Sequence, residues 1–176
     1  MKYMVKPVVA AFLLSMAGSA LAVQKDITVT ANIDAALDMT QSDGSALPKS
    51  VEMQYIPGTG LSPVSIMSKI WSNAPTGGAV QMRLVSPAQL VNTTGANSNG
   101  SAITVPLSVA WGTLALTTTN QALAVTDIFP NGADALTTGS VARELTISQT
   151  TKGALTTGSY QGVVSIYLSQ SAATGG

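Results

Sequence analysis

From residue 35 onward the chain is cut into short apolar runs by turn chemistry, and no segment keeps a helical period for long. The runs are 35–40, 51–55, 65–71, 80–85, 103–111, 122–129, 141–148 and 160–168. Between them lie Asp43-Gly44, Pro57-Gly58-Thr59-Gly60, Gly77-Gly78, 97–100, Asn131-Gly132 and Gly158. Strand-length apolar stretches punctuated by Gly, Asn, Asp and Pro predict an all-β sandwich or barrel. The exceptions are a possible helical turn at 133–136 and a surface loop over 92–101, where Asn, Gly, Ser and Thr dominate. That loop holds Asn92 and Asn99 in glycosylation-type triplets, which a polar loop of this composition produces by chance.

Ahead of these runs stands a longer alternation. Val23, Lys25, Ile27, Val29, Ala31 and Ile33 fall on one face of an extended segment, with Gln24, Asp26, Thr28, Thr30, Asn32 and Asp34 on the other. Only Lys25 interrupts the apolar face. Taken alone, the periodicity of residues 23–34 favours the first strand of a complete sandwich, pairing within its own chain, over a strand meant for another molecule.

The first 22 residues have a different character. Lys2 and Lys6 precede an apolar stretch over 8–17, and the triplet Ala20-Leu21-Ala22 follows. This is the pattern of a secretory signal peptide, predicting cleavage between Ala22 and Val23. The apolar core is about half the ~20 residues a membrane-spanning helix needs, so no membrane span is expected in the mature chain.

Composition narrows function further. Charged residues are 9% of the chain, with eight basic and eight acidic side chains, and two of the basic ones lie in the leader. No basic patch is left to hold nucleic acid. The chain has no cysteine and no histidine. An exported domain must then hold together without disulfides, and Ser-His and Cys-His pairs and histidine metal sites are excluded. No acidic pair has the spacing of a hydrolase, so no catalytic residue is assigned. Asp34, Asp38 and Asp43 lack the dense oxygen pattern of a calcium loop, and no metal or cofactor is expected. Trp71 and Trp111, each in a β-prone run, are assigned to the core in preference to sugar-stacking platforms.

The run Val23-Gln24-Lys25-Asp26-Ile27-Thr28-Val29-Thr30-Ala31-Asn32-Ile33-Asp34, followed by Asp38 and Asp43-Gly44-Ser45-Ala46-Leu47-Pro48, resembles the mature N-terminus of colonisation-factor-type major pilins. These are alpha-clade, or class 5, chaperone–usher fimbriae, and the cable-pilus major pilins are relatives. The resemblance continues through Met67-Ser68-Lys69-Ile70-Trp71-Ser72-Asn73, Val105-Pro106-Leu107-Ser108-Val109-Ala110-Trp111-Gly112, Glu144-Leu145-Thr146-Ile147-Ser148 and Gly158-Ser159-Tyr160-Gln161-Gly162-Val163-Val164-Ser165.

It implies an all-β, incomplete immunoglobulin-like sandwich over 35–176 with an N-terminal donor strand over 23–34. In that scheme Ile27, Val29, Ala31 and Ile33 are the donor side chains. A last strand carrying Tyr160, Val164, Ile166 and Leu168 on one face borders the acceptor groove. The implied partners are other copies in a fibre, a periplasmic chaperone, an outer-membrane usher and a minor tip adhesin. The implied location is the cell surface, reached through the periplasm. One departure is Ala35, where some relatives carry proline; no hinge based on proline isomerism is expected here.

Overall fold

The computed structural model describes residues 36–171, so the signal-cleavage pair Ala22 and Val23 and the donor residues Ile27, Val29, Ala31 and Ile33 lie outside the described residues. In chain order the strands are β1 (Leu37–Gln41), β2 (Tyr55–Ile56), β3 (Gly60–Leu61), β4 (Val64–Ser72), β5 (Val80–Leu84), β6 (Gln89–Ala96), β7 (Ala102–Trp111), β8 (Leu114–Leu116) and β9 (Gln121–Leu123). Two helical turns, α1 (Val125–Ile128) and α2 (Ala135–Thr138), flank a 3-10 turn at Gly132–Asp134. The chain then forms β10 (Arg143–Gln149), β11 (Tyr160–Gln161) and β12 (Ile166–Gln170).

The strands form two layers and a small hairpin. The large sheet runs β1-β4-β10-β7-β6-β11, with β8 also on β7; the small sheet runs β12-β5-β9, and β2 pairs β3. All these pairings are antiparallel. Period-two alternation accounts for the packing: in β7, Val105, Leu107, Val109 and Trp111 are buried while Thr104, Pro106 and Ser108 are exposed. Ile70 of β4, Leu145 and Ile147 of β10, and Val80, Met82 and Leu84 of β5 join them in one core. Trp111 is fully buried, and its indole N–H donates to Ser68 Oγ at 3.0 Å, so the largest core side chain has no unmet polar atom.

Four expectations are corrected by the structure. Residues 122–129 are not one strand: β9 ends where its partner β5 begins, at Leu123 opposite Val80, and α1 folds Ile128 and Phe129 into the end of the core. A buried apolar run does not by itself distinguish strand from helical turn. Residues 92–101 are not all loop, because β6 continues to Ala96. Asn92 Oδ1 accepts the amides of Thr94 and Gly95, both at 2.9 Å, and sustains the register shift between Val91 and Ala96. Residues 51–54 form no strand; only Tyr55 and Ile56 pair, with Leu61 and Gly60.

The fourth correction concerns Trp71. It lies on the opposite face of β4 from Ile70, half-buried, with its ring against Gly139 and its N–H donating to Thr40 Oγ1 at 2.8 Å. The helical turn anticipated at 133–136 is present as the 3-10 turn and the start of α2.

Candidate functional site: an apolar cleft beside an open strand

The last strand expected over 160–168 is interrupted, and the interruption shapes the site. Tyr160 and Gln161 pair with Asn92 and Val91 in the large sheet, whereas residues 166–170 pair with β5 in the small sheet. The chain crosses between layers at 162–165. Gly162 makes the crossing possible: a Cβ there would lie well inside contact distance of the Gln89 carbonyl oxygen. Ser165 completes it by accepting the Val85 amide at 2.9 Å.

Beside this crossing is a cleft of about 380 Å³. Ile66 of β4, Leu107 of β7, and Leu145 and Ile147 of β10 form its floor, with Leu90 of β6 at one end. One wall is Val164, Ile166 and Leu168; the other is Met39 of β1 with the irregular segment 47–51 and Met53. Leu107 and Ile147 are buried at its base, each 9% exposed, and the lining is mostly apolar. Water there meets few polar groups, so an apolar occupant would be favoured.

The backbone of β12 adds a second property. In an antiparallel strand each residue sends its N–H and C=O to the same side, and successive residues alternate. Ser165 C=O accepts Val85 N–H, while Ser171 donates to Ala79 at 3.2 Å and accepts from Gly78 at 3.1 Å, so odd-numbered residues face β5. Ile166, Leu168 and Gln170 therefore direct their backbone groups away from β5. Among the described residues no strand pairs with β12 on that side. The residues whose side chains wall the cleft are thus the ones whose amides and carbonyls form an open edge.

Gln170 anchors the end of β12. Its Nε2 donates to Ala74 O at 2.9 Å and Gly78 O at 3.1 Å, and its Oε1 accepts from Ser72 Oγ at 2.7 Å. The open edge is held in place and is not a frayed end.

Of the residues assigned to the groove border, Val164, Ile166 and Leu168 line this cleft together. Tyr160 instead lines a neighbouring cavity of about 530 Å³ with Glu52, Tyr55 and 155–159, and its hydroxyl donates to Thr156 O at 2.9 Å. The two spaces share Met53 and Leu90. Sequence reasoning missed the floor residues and the 47–53 rim. The alternation of Leu145 and Ile147 was the available signal for the floor, but alternation does not say which core positions lie under a gap.

Chemistry is sparse around the cleft. Among the described residues no group of three or more His, Cys, Asp or Glu could hold a metal. Asp43 lies in a turn, where the Ser45 hydroxyl at 2.6 Å and the Ser45 amide at 2.9 Å hold its carboxyl below the ordinary carboxylate value. Asp38 accepts the Met39 amide at 2.7 Å. Both carboxylates serve local backbone. No helix among the described residues is long and apolar enough to cross a membrane.

Two packed antiparallel layers with a strand that changes sheets define an all-β, immunoglobulin-like sandwich of the pilin kind. The family model of the CS1 type fimbrial major subunit matches residues 23–169, and the chain belongs to that family. It is 34% identical over 157 residues to a CFA/I fimbrial subunit of Escherichia coli, covering 87% of this chain and 88% of that protein. It is 32% identical to a CS1 fimbrial subunit of Escherichia coli, covering 86% and 88%. Among solved structures it resembles the CooA pilin of enterotoxigenic Escherichia coli, with a TM-score of 0.63, 30% identity, and coverage of 77% of this chain and 87% of that one. The chain is a structural subunit of a bacterial surface fimbria and not an enzyme.

Proposed function

We propose that this subunit polymerises by strand donation: residues 23–34 of one copy lie along β12 of the next and fill its cleft with Ile27, Val29, Ala31 and Ile33. The observation that carries this reading is the coincidence, on β12, of an apolar wall and a backbone edge that no strand pairs among the described residues. A strand with alternate apolar side chains satisfies both at once, by burial on one face and ladder hydrogen bonds along the edge. Full burial of Ile27, Val29 and Ile33 would contribute roughly 5–8 kcal/mol. Val164, Ile166 and Leu168 form the acceptor wall in this scheme, and Tyr160 belongs to the adjoining space.

An open edge beside an apolar cleft is an aggregation hazard before assembly. A periplasmic chaperone that covers it, and an outer-membrane usher at which the strand of an incoming copy takes the chaperone's place, complete the proposal. A minor tip adhesin would complete the fibre and direct it to host surfaces.

The test is a chain with a second copy of residues 23–34 joined to its C-terminus by a flexible linker. The expected product is monomeric and melts roughly 10–30 °C higher than the unfused chain. An unchanged melting temperature and association state would mean that the domain is already complete.

A further inference from the structure

Two valines on the rim of the cleft are held exposed by anchored backbone. Val163 lines the cleft yet is 78% exposed. The chain on either side of it is fixed, by Gly162 pressed against the Gln89 carbonyl and by the hydrogen bond from the Val85 amide to Ser165. Val51, 44% exposed, lies on the opposite rim. Its segment is tied down at both ends, where Ala46 accepts from Gln41 Nε2 at 3.0 Å and Gln54 accepts the Ser62 amide at 2.8 Å. The floor of the cleft, Ile66, Leu107, Leu145 and Ile147, comes from strands already engaged in the sheets.

We infer that Val51 and Val163 are two fixed rim side chains, lips that flank and cover residues 23–34 of a second copy once that strand has seated, and that they govern how slowly it leaves. The inference rests on the strand-donation reading above. The occupant is argued from the cleft itself: it needs apolar side chains at every second position, and residues 23–34 carry such a run. A strand lying against β12 passes between 47–53 and 162–164, where an exposed valine on each side gains an apolar neighbour. Apolar contacts made after docking slow dissociation more than they speed association.

The test uses assembled fibres. Wild-type fibres and fibres of Val163→Ser, Val51→Ser, Val163→Ile and Val85→Ser are held in a fixed concentration of denaturant, and release of free subunits is followed in time. Val85 is the control: its side chain is 55% exposed and does not line the cleft, and serine there keeps the backbone amide that holds Ser165. Val163→Ser is expected to release subunits about tenfold faster, Val51→Ser several-fold faster, and Val85→Ser within about twofold of wild type. Release at the wild-type rate from Val163→Ser fibres, or equal acceleration by Val85→Ser, would overturn the lips while leaving strand donation intact. Should Val163→Ser give no fibre, Val163→Ile decides. Slower release is expected from that larger apolar side chain, and unchanged or faster release would overturn the inference. Strand donation itself fails separately, if a charge at Val29 leaves polymerisation normal.

Discussion

Ser68 shows how much one small side chain can control in a core with no disulfide. It is fully buried on β4, accepts the Trp111 indole N–H at 3.0 Å and donates to Arg143 O at 3.2 Å. Ser68→Ala removes the acceptor but keeps the volume, leaving the indole N–H buried without a partner at a cost of about 1–3 kcal/mol. The expected fall in melting temperature is roughly 3–10 °C, measured on the strand-fused chain so that unfolding and disassembly stay separate. Trp71→Phe is the comparison, because its N–H reaches Thr40 on a half-buried outer face and loss of that bond costs about 0.5–1.5 kcal/mol. Equal losses for the two would mean that burial does not set the cost. A similar economy holds the β2–β3 hairpin: the Leu61 amide donates to Gln149 Oε1 at 2.7 Å and its carbonyl accepts from Lys152 Nζ at 2.5 Å.

Among the elements, the crossing at 162–165 matters most, since it turns one expected strand into two that belong to different sheets. Gly162 is required there for space: any Cβ meets the Gln89 backbone, which is itself fixed in β6. Gly162→Ala is therefore expected to push the crossing outward, separate Val164 from Ile166 in the cleft wall, and destabilise the domain by about 1–3 kcal/mol. Gly95→Ala meets only the Asn92 side chain at 3.8 Å and should be tolerated; equal melting temperatures for the two variants would show that the crossing can yield. This element also marks the limit of what was legible in the sequence. The alternation of β4, β5, β7 and β10 was readable because each has one buried face, and period two reports that directly. Tyr160, Val164, Ile166 and Leu168 looked like one face because periodicity carries no information about a change of sheet. The 92–101 stretch was opaque for the opposite reason. Its Asn, Thr and Gly residues read as loop, yet the Asn92 side chain supplies the acceptors that its bulge needs. Family likeness along 23–169, more than any local pattern, made the fibre role legible.

On the scale of the whole molecule the decisive question is whether residues 23–34 act within a chain or between chains, and mixed assembly answers it. Neighbouring side chains in a strand face opposite sides, so on the strand-donation reading an aspartate at position 29 would enter the apolar cleft and one at position 30 would face away. An unpaired carboxylate buried among Leu107, Leu145 and Ile147 would cost several kcal/mol, enough to offset most of what the other apolar side chains contribute. Val29→Asp is expected to block polymerisation, and Thr30→Asp to permit it. Since the incoming copy is the donor in this scheme, a cap must donate without accepting. The strand-fused chain would do so: its cleft is filled by its own second copy of residues 23–34, while its N-terminal strand stays free to enter a growing end. In a mixture with wild-type subunits, mean fibre length should then fall as the fraction of fused chain rises. A strand that pairs within its own chain makes a different prediction: the fused chain has no strand to give, and wild-type subunits build fibres of normal length around it. Fibre length by electron microscopy, plotted against the ratio of fused chain to wild type, separates the two, and a flat curve would rule out donation between molecules.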